Sequence, residues 1–358
     1  MLKEGINILY KDDLTQFIHS ELFGKFRDVP ISKIRAISQL NNPSRLDDKP
    51  MLLVQIKAGE IVAYLGVYHD CIIKDQTKIT IGWTNDLWVA PKDRGRGYAG
   101  NLIVELYKHF EGNLIVADYV PNTFHIYNSK GVFQKLNPIK GKRIFLEKPN
   151  IEWIDKRFGL SFKKILFNYY LKLKPEKHNQ IDSAILLYKQ NTIYKIGTEQ
   201  ENFIVSCKQQ SIFNEDINKW NHWLAAPWLS ETETENRFYF STQCKPFKQF
   251  CLELRDESNV IKALVFILVR GDELKVKQIY ATAESYDEVI KYIIHTAQFF
   301  ESKQILLHDT KMFPSLKKYS SNYLFAVNSK KHLLAGNTIF NLMENVHVQV
   351  SDGDLAFT

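Results

Sequence analysis

A chain of 358 residues with 45% hydrophobic content is long enough for one large or two ordinary domains and can bury a substantial core, which excludes disorder as its default state. Its 47 basic and 40 acidic residues leave a formal charge of +7, read as a mild excess spread along the chain that leans toward anionic ligands and gives no reason to expect nucleic acid. The four cysteines, Cys71, Cys207, Cys244 and Cys251, form no CxxC pair, so neither a metal site nor a disulfide framework is expected and a reducing, cytoplasmic setting fits best.

The N-terminus "MLKEGINILYKDDLTQF" lacks the apolar core of a signal peptide, and "ALVFILV" is too short to span a bilayer, so a soluble protein without a transmembrane segment is expected. In chain order, "INILY" reads as a strand. "DDLTQFIHSELFG" reads as a helix starting on an Asp cap and ending at Gly24, and "SKIRAISQL" as a helix capped by Ser32. "MLLVQIKAGEIVAYLGVYHDCII" has the composition of a hairpin turning at Ala58-Gly59-Glu60, and "KITIGWTNDLWVA" of a further strand. "YAGNLIVELYKHFEG" repeats its apolar residues at helical spacing, with Gly112 as terminator. "NLIVADYV" then reads as a strand, "NTFHIYNSKGVF" as a helix closed by Gly131 and "KRIFL" as the last strand of this half.

Residues 149–190 are aromatic and basic, with Pro175 breaking "EWIDKRFGLSFKKILFNYYLKLKPEKHNQ". Two readings are open, a helix packed between two domains and a helix at a membrane surface; the first is preferred because apolar faces of this size are usually core. Beyond it, "NKWNHWLAAPWL" reads as a helix and "FKQFCLELRDESNVIKALVFILVRGDELKVKQIYA" as three antiparallel strands. "SYDEVIKYIIHTAQFF" reads as a helix capped by Ser285 and "QILLHD" as a strand. The tail "SDGDLAFT" is expected to fray. The order of elements repeats that of the first half, which predicts a duplicated α/β (α+β) architecture: two mixed, largely antiparallel sheets flanked by helices. The linear boundaries drawn from this reading are residues 1–148, a connecting helix and linker over 149–190, and 191–358.

The densest signal is "APKDRGRGYAG" between a strand and a helix. Unpaired amides at a helix N-terminus attract anions, Gly95 and Gly97 allow close approach of the backbone, and Arg94 and Arg96 add charge, so a diphosphate is a natural guest. A glycine turn with two solvated arginines is the bland alternative. Neither a dinucleotide fingerprint nor a Walker loop is present.

Arg94-x-x-Gly97-x-Ala99 after "DLWVAP" resembles the acetyl-coenzyme A motif of the GNAT N-acetyltransferase superfamily, and "YNSKGVF" is similar to its Tyr-x-x-x-Gly-Phe element, with Tyr127 and Gly131 in register and Val132 in place of Phe. The resemblance covers roughly residues 6–146. It implies that the strand before the motif splays from its neighbour, that Leu87, Trp88 and Val89 hold pantetheine, and that Arg94, Gly95, Arg96, Gly97, Tyr98 and Ala99 hold the pyrophosphate of acetyl-coenzyme A, the acyl donor.

Amine acetylation needs a group that protonates the departing thiolate and a route for the amine's own proton. Tyr127 is the candidate acid. Asp86 is the candidate base, although strict alternation puts it opposite Asn85, Leu87 and Val89, and Asn85 stands where some family members have Glu; loss of the proton through water is the alternative. His125 and His69 are further candidates with ordinary packing roles as alternatives. The second half reads "TAES" where the cradle would fall, so it is expected to be a degenerate GNAT-like domain that helps hold the acceptor, with the first half alone keeping part of the donor binding.

The leading reading is a tandem, acetyl-coenzyme A dependent N-acetyltransferase acting on a small-molecule or sugar amine. A Fem-like aminoacyl transferase is the alternative within enzymes, disfavoured by the intact loop. A non-catalytic module using segment 153–177 on nucleic acid or a membrane surface is the alternative outside them.

Overall fold

The computed structural model describes residues 2–74, 77–117, 121–149, 154, 162–173, 179–183, 186–207 and 216–343. The chain forms two units, Met1–Ile139 with Gln209–Lys245 and Lys331–Thr358, and Lys140–Lys208 with Pro246–Lys330. These units cross the linear boundaries at 148 and 191, because a late segment and a late strand return to the first unit.

The first unit holds β1 (Gly5–Leu9), β2 (Leu52–Lys57), β3 (Glu60–Lys74), β4 (Thr77–Val89), β5 (Leu114–Ala117), β6 (Phe133–Lys135) and β14 (Leu333–Gly336), in the order β1-β2-β3-β4-β5-β14-β6. Only β4 and β5 run parallel. Its helices are α1 (Lys11–His19), α2 (Glu21–Lys25), α3 (Lys33–Leu40), α4 (Tyr98–His109), α5 (Pro121–Asn128), α8 (Ile217–Ala225) and α11 (Asn337–Met343). The β2–β3 turn falls at Ala58 and Gly59 as expected, both at positive φ (51° and 76°), a twist that matches the flanking strands.

Alternation along β2 and β3 sorts the core into two faces. Leu52, Val54, Ile56 and Tyr64 pack against Leu14, Phe17 and Ile18 of α1, whereas Leu53, Ala63, Leu65 and Val67 pack against Leu102, Ile103 and Leu106 of α4. The expected Asp cap and Gly24 stop of the first helix are not found. Asp13 instead accepts the Tyr10 amide at 3.2 Å, and the helix breaks at Ser20, whose hydroxyl caps α2 through the Phe23 amide.

The second unit holds β7 (Ile139–Phe145), β8 (Lys189–Ile193), β9 (Phe247–Arg255), β10 (Ile261–Arg270), β11 (Glu273–Ala281), β12 (Gln304–Leu307) and β13 (Phe325–Lys331), in the order β13-β7-β12-β11-β10-β9-β8. Its helices are α6 (Phe162–Leu173), α7 (Thr198–Cys207), α9 (Tyr286–Phe299) and α10 (Phe313–Lys318). The three antiparallel strands read from the sequence are β9, β10 and β11. Read from opposite ends, the two sheet orders match strand for strand, and the parallel pair β11–β12 stands where β4–β5 stands in the first.

The match requires an exchange. The position next to β5 is filled by β14, from the far end of the described chain, and the position next to β12 is filled by β7, the strand read as the last of the first half. Ser285 does not cap α9 as expected; its hydroxyl donates to the carbonyls of Thr282 and Lys262. The tail "SDGDLAFT" lies outside the described residues.

Two histidines of the first unit are held neutral. His69, 2% exposed, accepts the Leu46 amide on Nδ1 and donates from Nε2 to the Pro50 carbonyl, which consumes both ring nitrogens and makes it a core tie rather than a catalytic group. Burial lowers its pKa and pushes that of His222 down to about 4. Between pH 4 and 6.5 the unfolded chain therefore binds protons that the folded chain refuses, so stability falls as pH drops through that window. His222 alone should contribute a loss of about 2–3 kcal/mol at pH 4 relative to pH 7. Urea midpoints at pH 5 and 7 check this, with His222→Gln expected to flatten the difference.

Candidate functional site

The register between β3 and β4 breaks in one place. Tyr64 faces Trp88 and Gly66 faces Asn85, so Asp86 and Leu87 together oppose Leu65, and Asp86 takes φ 50°. This bulge defeats the strict alternation used in reading the sequence. It flips the parity of β4, so Thr84 before it and Leu87 and Val89 after it all face the α4 side, where Tyr127 also packs. Trp88 turns to the other face and stacks on Tyr64 at 5.1 Å. Asn85 lays its amide where a Cβ on Gly66 would stand, which explains the glycine; both of its polar atoms are buried without a partner.

The parallel pair opens at the same point. β5 pairs with β4 from Gly82 to Thr84, and among the described residues no strand neighbours the β5-facing edge of Asn85–Val89. A cleft of about 950 Å³ occupies the opening. Its walls include the free edge of β4, the first turn of α4, the α5 segment around Tyr127, and Tyr239 and Phe240.

At one end of the cleft the chain leaves β4 through a short turn and enters α4 at Gly97, in the left-handed region at φ 83° and with no capping side chain. The first-turn amides of α4 are thus left without a cap. A Cβ on Gly95 (φ 79°) or Gly97 would meet nothing within 4 Å, so the space before these amides is open. Arg94 lines the cleft, its Nε on the Val89 carbonyl at 3.3 Å. Lys130 folds across the same turn, its terminal atoms where a Cβ on Gly100 would lie, and it pairs with no carboxylate among the described residues. Two cations and a set of free amides at the positive end of a helix form a cradle suited to a diphosphate.

Tyr127, 1% exposed, lines the cleft and donates to Thr84 Oγ1 at 3.2 Å. Burial pushes its phenol up to about 12, so it holds its proton across the ordinary pH range. On the opposite face Arg35 Nη1 meets both oxygens of Asp86, at 2.9 and 2.8 Å, and its Nη2 donates to the Ser241 carbonyl. Burial pushes the Asp86 carboxyl up, and Arg35 works against that push.

Of the residues expected to bind or react, Asp86, Leu87, Trp88, Val89, Arg94, Gly95, Gly97, Tyr98, Ala99 and Tyr127 line this cleft. Arg96 does not. It is 55% exposed and pairs with the buried Asp93, which Lys57 also approaches. His125 lines the cleft on the exposed side of α5. The sequence reading did not find Thr84, Lys130, Arg35, Tyr239 or Phe240. Lys130 had a signal, as the fourth residue of "YNSK", whereas Arg35 and the 239–240 pair reach the site only through tertiary structure.

The second unit repeats the opening without the cradle. β10 and β11 shift register at Lys277, and β12 pairs with β11 only from Glu273 to Lys275. The turn into α9 carries no glycine at positive φ, in keeping with "TAES" in the sequence.

No family model matches this sequence, and no curated protein is significantly similar to it. Solved structures are similar in fold. A GCN5-related N-acetyltransferase from Anabaena variabilis is 11% identical with a TM-score of 0.47, covering 90% of this chain and 69% of that one. A GCN5-related N-acetyltransferase from Kribbella flavida is 12% identical with a TM-score of 0.48, covering 92% and 71%. A conserved protein of unknown function from Enterococcus faecalis, described as a probable N-acyltransferase, is 7% identical with a TM-score of 0.51, covering 93% and 72%. At this identity the Enterococcus likeness is one of fold, shared along nearly the whole chain.

Proposed function

We propose that the first unit is a coenzyme A dependent N-acyltransferase, with acetyl-coenzyme A as donor and a small-molecule or sugar amine as acceptor. The observation that carries this reading is the free edge of β4 running directly into the glycine-led N-terminus of α4. One continuous wall thus offers main-chain hydrogen bonds for an extended amide chain and then a cationic, amide-rich cradle for a diphosphate. Leu87, Trp88 and Val89 would hold the pantetheine arm. The amides after Gly97, with Arg94 and Lys130, would hold the pyrophosphate, and Arg96 serves the turn through Asp93.

In the reaction the acceptor amine attacks the thioester carbonyl, the carbon–sulfur bond breaks, and the sulfur leaves with the bonding electrons. Tyr127 delivers its proton to that sulfur, turning its hydroxyl away from Thr84; burial keeps the phenol protonated, so a proton is on hand where the thiolate forms. Asp86, gripped by Arg35 through both oxygens, fixes the bulge, and the amine's proton leaves to water in the open cleft.

Calorimetry with acetyl-coenzyme A should return one site per chain. Gly97→Val should weaken that binding at least ~100-fold, because a β-branched residue is strained at φ 83° and its side chain enters the cradle. Two equivalent sites, or unchanged affinity in the variant, would refute the assignment.

A further inference from the structure

The positive excess of the chain is not spread evenly. Residues 156–177 carry seven lysines and arginines against the single acid Glu176, so six of the seven net positive charges fall in this short stretch. Helix α6 lies inside it. It packs on the second unit through Phe167, Tyr170 and the buried Leu171, against Phe145, Leu324 and Phe325. Four further apolar side chains of the helix face outward: Ile165 is 64% exposed, Leu166 54%, Tyr169 63% and Leu173 70%. The sequence reading preferred a helix packed between two domains and kept a membrane-surface helix as the alternative; these exposures favour the alternative. Large apolar side chains gathered on one exposed helix mark an interaction surface, unlike single exposed leucines scattered elsewhere.

We propose that α6 docks this protein on the surface of an anionic phospholipid bilayer, a choice of surface set by the positive charge of the sequence around it. The helix spans about 18 Å at the usual rise per residue, too short to cross a hydrocarbon core but sufficient to lie along its boundary. Ile165, Leu166 and Leu173 enter the acyl region, and Tyr169 suits the headgroup level with an apolar ring and a polar tip. The net positive charge of residues 156–177 draws such a segment to acidic headgroups. A second copy of the chain fits poorly, since two copies of so basic a segment repel. Nucleic acid leaves the aliphatic residues without a partner.

The test uses the full chain in co-sedimentation with vesicles of phosphatidylcholine, with and without a minority of phosphatidylserine. Retention is expected to rise roughly tenfold or more with the acidic lipid and to fall in high salt. The triple variant Ile165→Ser, Tyr169→Ser, Leu173→Ser should lose vesicle binding with its unfolding midpoint unchanged, because all three side chains face solvent. Val205→Ser, at a 56% exposed position on α7, should bind as the parent does. Equal or absent retention on the two vesicle types, or undiminished binding by the triple variant, overturns the proposal. So does a concentration-dependent dimer that the triple variant abolishes, which would assign the face to a second copy, or stronger retention on nucleic acid than on lipid.

Discussion

Tyr127→Phe is expected to lower turnover by about 10²–10⁴-fold while leaving affinity for acetyl-coenzyme A within about threefold, the pattern of a lost general acid. The ring stays packed on Phe133, so the fold should lose only the hydrogen bond to Thr84, about 1 kcal/mol. Under this reading the parent protein's kcat should stay level through pH 10. Its phenol, pushed up to about 12, keeps its proton there, and a fall beginning near 12 would have the right sign for loss of the acid. Asp86→Asn gives the contrast. It should destabilise the fold by about 3 kcal/mol by leaving Arg35 without its countercharge, yet leave the pH profile of kcat in place. Full activity in the Tyr127→Phe variant returns Tyr127 to the core, and an Asp86→Asn variant that loses the acidic limb makes that carboxylate the base.

A fragment of residues 1–149 is expected to show no cooperative unfolding and no donor binding, which reverses the expectation that the first half alone keeps part of the cradle's function. The fragment lacks β14, whose Leu333 and Leu334 are each 1% exposed and whose Ala335 is fully buried between β5 and β6. Losing two buried leucines costs about 3–6 kcal/mol in transfer terms alone. The fragment also lacks Lys219, the partner of the fully buried Asp70 at 2.8 Å, and stranding such a charge costs about 3–5 kcal/mol more. Together these match the whole stability of an ordinary domain, about 5–15 kcal/mol. Circular dichroism with calorimetry decides the matter: a fragment that melts cooperatively and binds the donor refutes it.

Much of the site was legible because its signals are local. Gly97 and Tyr98 announce a helix start, Tyr127 and Gly131 keep their spacing across one turn, and Ala58-Gly59 makes its hairpin without help from elsewhere. The bulge was not legible, since Asp86 is neither glycine nor asparagine and takes positive φ only because Arg35 holds its carboxylate from another element. The exchange of β7 and β14 was hidden for a different reason: "KRIFL" has the same composition whichever sheet receives it, and pairing between distant strands leaves no periodicity to read. The return of α8 to the first unit is marked in the sequence by little more than a lysine, which is buried against an acid on β3.

The placement of β14 also sets an order of events during synthesis. β5 and β6 leave the ribosome with a vacant lane between them, and the register that closes it, Leu334 against both Val116 and Lys135, cannot form until nearly all of the described chain has emerged. Until then each of the two strands offers an open edge that any suitable strand can join. The same four residues from a neighbouring nascent chain fit that lane equally well, so crowded polysomes and concentrated refolding mixtures should yield strand-swapped dimers in which each molecule finishes the other's sheet.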